Sequence, residues 1–197
     1  ELATPSISDA IAGLAATVSR ISVVQLSLFA ASHVKNDVPL AVQRARSEHP
    51  GVTVHNGAHL GVHPALVDLL DDRAAAVEAE LGVDRETDDV AVVLCARGSS
   101  DRDANSDAHK LPRLRYEGRA FDRVETAFIG VTEPRLEEAL HAAAKHRPDA
   151  VVVLPYMLGD GVLTGRIREG AAEFDDEYPY VDAAAGDPLG TDGRLLD

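Results

Sequence analysis

The 197-residue chain is 45% hydrophobic, enough to bury one sizeable core or two smaller ones. Asp and Glu total 33 against 19 Lys and Arg, a formal net charge of -14; a field of that sign repels phosphate backbones and makes nucleic acid an unexpected partner. No apolar run approaches the roughly 20 residues that span a bilayer, no basic-then-apolar leader is visible, and the lone Cys95 cannot form an internal disulfide. The expectation is a cytoplasmic chain with no membrane association. Lys occurs only at 35, 110 and 145. Such an acidic, Lys-poor surface suits a salty cytoplasm, and a GC-rich genome would give the same bias.

In chain order, helical spacing of Ile7, Ile11, Leu14 and Val18 predicts a helix over 6–20, with Pro5 in its first turn. A strand follows over 21–29, then a helix over 38–48 and a short strand in "GVTVHNG" closed by Gly57. Residues 64–81 read as a long helix ending at Gly82. The polar stretch "GVDRETDD" is the expected linker, which divides the chain into lobes at 1–83 and 90–197. The order then restarts. A strand over 91–96 leads into the polar loop "RGSSDRDANSD" and a helix over 106–117 interrupted by Pro112. A strand over 124–131, a helix over 134–145 and a strand over 150–156 complete the reading. Strands separated by helices of this length imply parallel sheets with right-handed crossovers.

The two halves repeat. "TPSISDAI" answers "EPRLEEAL", "VVQLSLFAASHV" answers "VVVLPYMLGDGV", and "GAHLGVHP" answers "GDPLGTDG", at a near-constant offset. Residues 90–129 have no counterpart before Glu1, and the helix over 64–81 has none near the end. A chain shortened at both ends, by a strand–loop–helix unit and by a helix, is therefore expected.

Ligands of doubly wound sheets bind beyond the carboxyl ends of the strands. His33 follows such a strand on a bed of small residues (Ala30, Ala31, Ser32), with Lys35, Asn36 and Asp37 beside it. The bland alternative is a helix start capped by Asn36 or Asp37, with His33 a bystander. The repeat places Gly161 opposite His33, so the scaffold does not require histidine there. "CARGSSDRDAN" lies at another strand end: its Gly-Ser-Ser turn could offer amides to an anion, and Arg97 and Arg102 could pair with carboxylates. A Ser-capped helix start explains the same residues. Cys95 reads as a small core residue, and His55, His59 and His63 as loop residues rather than a metal trio, with His63 positioning the following helix.

Together "FAASHVKNDVP", "LGVHPAL", "ARGSSDRDAN", "FIGVTEP" and "VVLPYMLGDGVL" resemble the long, internally duplicated sirohydrochlorin cobaltochelatases of the class II tetrapyrrole chelatases. That resemblance implies two similar α/β lobes, each a parallel sheet flanked by helices, facing each other across a cleft. It implies insertion of a divalent metal into sirohydrochlorin for cobalamin, or of iron for sirohaem, without an organic cofactor. Cobalt is the expected metal, with iron or nickel as alternatives and other corrin-pathway enzymes as conceivable partners. By the same resemblance His33 is proton acceptor and metal ligand, and Glu1 is a second metal ligand. Lys35, Arg97 and Arg102, with Ser32 and Ser99, are the expected contacts to the carboxylate rim of the substrate. The family's other histidine, in an "HGS" or "HGT" motif, has no match, since Arg97 occupies the equivalent place in the second half. Two other readings stay open: a non-catalytic tetrapyrrole or metal carrier, and a sugar-phosphate or nucleotide binder using the "RGSS" loop.

Overall fold

The computed structural model describes residues 4–117, 121 and 123–195. In chain order they form α1 (Ile7–Ala15), β1 (Arg20–Gln25), a π-helical turn (His33–Asp37), α2 (Val38–Glu48), β2 (Thr53–His59), α3 (Pro64–Leu81) and β3 (Val90–Ala96). There follow α4 (Arg102–Glu117), β4 (Arg123–Phe128), α5 (Leu136–Ala144), β5 (Ala150–Pro155), α6 (Val162–Glu177) and β6 (Asp182–Ala185). Each strand pairing is parallel, which gives the expected α/β class. Among the described residues no helix is long and apolar enough to cross a membrane.

The chain divides into two compact units, residues 1–61 and 62–197. In the larger unit the strand order is β4-β3-β5-β6. The inner strands β3 and β5 are buried along their whole lengths, as a parallel sheet covered on both faces demands. Alternate residues serve opposite faces. Val93, Cys95, Val151 and Val153 meet Leu136, Leu140, Ile167 and Phe174 of α5 and α6. Leu154, on the other pleat, faces α3: a Cβ on Gly186 would lie 3.4 Å from Leu154 and 3.0 Å from Val77. The smaller unit is a two-stranded ribbon, with Ile11, Ile21, Val42, Ala45 and Val54 as its core. Its other pleat leaves Val24 71% exposed.

Residues 82–89 lie inside the larger unit, where α3 packs on β5 and β6. Arg73 on α3 donates from Nε and Nη2 to the carbonyls of Pro188 and Leu189, both at 3.1 Å. Within that unit Arg115, fully buried on α4, donates to the Val67 carbonyl at 3.0 Å and pairs with Asp71, tying α3 to α4.

Four element ends also move. The helix expected over 6–20 stops at Ala15, where Thr17 and Val18 amides turn back to the Leu14 carbonyl. Of its proposed apolar face only Ile11 is buried; Ile7, Leu14 and Val18 are exposed, since the ribbon offers too little surface to cover them. The strand expected over 21–29 ends at Gln25, whose Nε2 donates to Asn56 Oδ1 at 3.0 Å and to the Gly57 carbonyl at 2.9 Å. The helix expected from 106 begins at Arg102, because Asp101 Oδ1 accepts the Asp103 amide at 3.0 Å and starts the turn earlier. The strand expected over 124–131 ends at Phe128. α6, which was not anticipated, completes the second half. Its α5–β5–α6–β6 order repeats α1–β1–α2–β2, as the internal duplication requires.

Candidate functional site

His33 lies eight residues beyond the end of β1, in a five-residue π-helical turn that runs into α2. The turn is defined by the Val38 amide bonding to the His33 carbonyl, a reach of five residues. Such single π turns within helices occur often at functional sites. The turn places residues four apart side by side, and His33 Nδ1 lies 2.5 Å from Asp37 Oδ2. Asp37 makes no side-chain cap for α2, so its carboxylate is not committed to the helix backbone. A carboxylate only accepts, so the contact is a hydrogen bond when Nδ1 carries the proton, and in that tautomer the lone pair of a neutral ring lies on Nε2. The His33 side chain is 61% exposed, reachable by a large planar ligand. Ser32 adopts helical angles at the start of the turn and makes no capping bond, and exposed Lys35 lies on the same turn.

Arg97, Ser99 and Arg102 lie in the other compact unit, at the carboxyl end of β3. Here the loop closes on itself. The Ser99 amide donates to Asn105 Oδ1 at 2.9 Å, and Asn105 Nδ2 returns a bond to the Ser99 carbonyl at 2.7 Å. The Asp101 amide donates to Ser99 Oγ at 3.0 Å. Two amides that an anion nest would need are therefore taken, and Ser99 shapes the start of α4. This weighs against a phosphate-binding loop. Arg97 and Arg102 are exposed, and among the described residues no carboxylate pairs with either.

The remaining candidates separate cleanly. Cys95 is fully buried, and desolvation pushes its thiol from 9.0 up to about 12, so it is a core residue and no nucleophile. His63 Nδ1 accepts the Ala65 amide at 3.3 Å and caps α3, as expected. The described residues hold no cluster of three or more His, Cys, Asp or Glu side chains fit for a metal, so His55, His59 and His63 form no trio. Glu1 lies outside the described residues. Asp37 is the residue that sequence reasoning passed over as a site member. Its signal was the four-residue spacing in "HVKND", legible only once that segment is read as helical.

The comparison with known families matches the CbiX family over residues 1–77 and 91–197. The chain belongs to the CbiX family. It is 32% identical over 183 residues to a sirohydrochlorin cobaltochelatase of Priestia megaterium, covering 92% of this chain and 59% of that relative. It is 35% identical over 170 residues to a sirohydrochlorin ferrochelatase of the same organism, covering 86% of this chain and 62% of that relative. The chain thus spans about three fifths of the length of these CbiX-like relatives. Among solved structures, SirB from Bacillus subtilis with Fe3+ superposes with a TM-score of 0.81 at 26% identity, over 99% of this chain and 75% of that one. SirB in complex with cobalt superposes at 0.75 with 23% identity, which speaks for the fold.

Proposed function

We propose that this CbiX-family chain inserts a divalent metal ion into sirohydrochlorin, with His33 as the base and ligand that carries the reaction. Its support is the family membership, with relatives named for both cobalt and iron insertion into this tetrapyrrole. The single structural observation behind the residue assignment is the exposed His33 imidazole on a π turn, with its Nδ1 held by a carboxylate. Insertion must remove pyrrole N–H protons as the ion enters the ring. A neutral imidazole both accepts such protons and ligates first-row ions near neutral pH. Burial on a rigid, apolar site is not required; access is, and the ring is exposed. Lys35, Arg97 and Arg102 carry the charge sign that carboxylate side arms of the macrocycle recognise, and Ser32 and Ser99 flank them in sequence.

Cobalt is the ion we assign, because imidazole donors bind cobalt(II) more tightly than iron(II) in the ordinary order of divalent affinities. The test is a competition. With equal anaerobic cobalt(II) and iron(II) and limiting sirohydrochlorin, the product spectrum is expected to be that of the cobalt complex. A predominantly iron product formed at an enzyme-dependent rate reassigns the metal and keeps the chelatase. Spectral shifts of bound sirohydrochlorin without insertion of either ion make the protein a carrier.

A further inference from the structure

The proposed function assigns His33 but leaves open why its imidazole is usable, and Asp37 answers that. We propose that Asp37 is a positioning residue for His33: its carboxylate holds the neutral ring in the Nδ1–H tautomer and keeps the Nε2 lone pair for metal and protons. The inference rests on the chelatase reading for its meaning, though not for its test. Three observations converge on it. Nδ1 and Asp37 Oδ2 are 2.5 Å apart. The π turn, rather than a cap or a packing contact, puts them together: Asp37 makes no side-chain bond to the α2 amides and the carboxylate is more than half exposed. The third observation comes from the repeat. The register that sets Gly161 opposite His33, carried four residues further, sets Gly165 opposite Asp37. Histidine and carboxylate are thus present together in one half and replaced by glycine together in the other.

The glycine half shows what the scaffold does without the pair. There the Gly165 amide bonds to the Gly161 carbonyl at 2.9 Å, an ordinary helical start with no π turn. The strand-end carboxylate of that half, Asp160, is spent locally: it accepts from Thr164 Oγ1, from Arg168 Nη1 at 2.9 Å and from the Gly161 amide at 3.0 Å. Those bonds, Thr164 first, hold its carboxyl below the ordinary value of 3.8. Helix initiation therefore needs neither His33 nor Asp37, and their pairing calls for another explanation. Imidazole ligands commonly donate the second ring N–H to a carboxylate, which fixes tautomer and orientation; loss of such a partner costs about 10–100-fold in metal affinity or activity.

A competing structural role is available, since a carboxylate at the start of α2 also favours the helix dipole. Stability measurements move under either role; the tautomer moves only under the proposed one. The experiment is nitrogen-15 NMR of the ring nitrogens in the metal-free protein, at a pH where imidazoles are neutral, with cobalt(II) titration by visible absorption alongside. The His33→Ala variant assigns the signals. Wild-type protein is expected to show His33 with Nδ1 protonated, against the Nε2–H preference of free histidine. Asp37→Asn, which can donate its amide to Nδ1, is expected to move the proton to Nε2 and to weaken cobalt binding about tenfold or more. Asp37→Glu is expected to recover part of both. An Nε2–H ring in the wild type, or an unchanged tautomer and cobalt affinity in Asp37→Asn, overturns the proposal. Because no sirohydrochlorin is used, the tautomer shift stands even if metal insertion fails. Conversely, robust insertion by the wild type with an unmoved tautomer in Asp37→Asn removes Asp37 and leaves the chelatase intact.

Discussion

His33 and Cys95 show how neighbours set the chemistry of a side chain. His33 sits exposed on a turn with a carboxylate on Nδ1, whereas Cys95 is sealed between β4 and β5 with its thiol raised to about 12. The sign of that shift is explicit: burial disfavours the thiolate, so the reactive form is withheld until the pH nears the raised value. We predict that native protein at pH 8 reacts with a disulfide reagent at least a hundredfold more slowly than denatured protein, counted as released chromophore. Rapid native labelling contradicts the burial. At this scale the sequence was informative where one residue type had one plausible use, as for Cys95 and the helix-capping His63. It was silent on the partnership of His33 and Asp37, because residues four apart meet only on a helix and the segment "HVKND" has loop composition.

Among elements, the turn after β3 is tightly built. Gly98 takes a left-handed φ of 83°, and a Cβ there would lie 2.0 Å from the Gly130 carbonyl oxygen after β4. Neither the angle nor the space accepts a side chain. Gly98→Ala is expected to cost about 2 kcal/mol or more and to loosen the Ser99–Asn105 bonds, read as a lower midpoint in urea. An unchanged midpoint contradicts the close approach of the two strand-end turns. Helices with strong punctuation were legible in sequence: α3 runs from Pro64 to the left-handed Gly82, and α2 matches its expected span. The start of α4 was not, since Ser99, Asp101 and Asn105 form their bonds among polar residues that read as loop. α1 ended early because the periodicity of Ile7, Leu14 and Val18 was not matched by a surface to bury them.

For the whole molecule, the duplication was the strongest sequence signal, and the repeated α–β–α–β order carries it in the structure. A polar stretch such as 82–89 marks a linker only if the helix before it packs backwards along the chain, and α3 packs forwards onto β5 and β6. The charge of -14 is a property of the entire surface. Screening shortens from about 10 Å at 0.1 M salt to about 3 Å at 1 M, so self-repulsion fades over that range. The melting temperature is expected to rise by several degrees between 0.02 and about 1 M sodium chloride; a flat or falling profile contradicts a repulsive surface. The measurement that bears most directly on function is the cobalt(II)-dependent change in the visible spectrum of sirohydrochlorin, wild type against His33→Ala. Enzyme-dependent insertion that falls at least a hundredfold in the variant is the expected result. Equal insertion rates in the two proteins would contradict the role of His33, and no insertion by the wild type would contradict the chelatase.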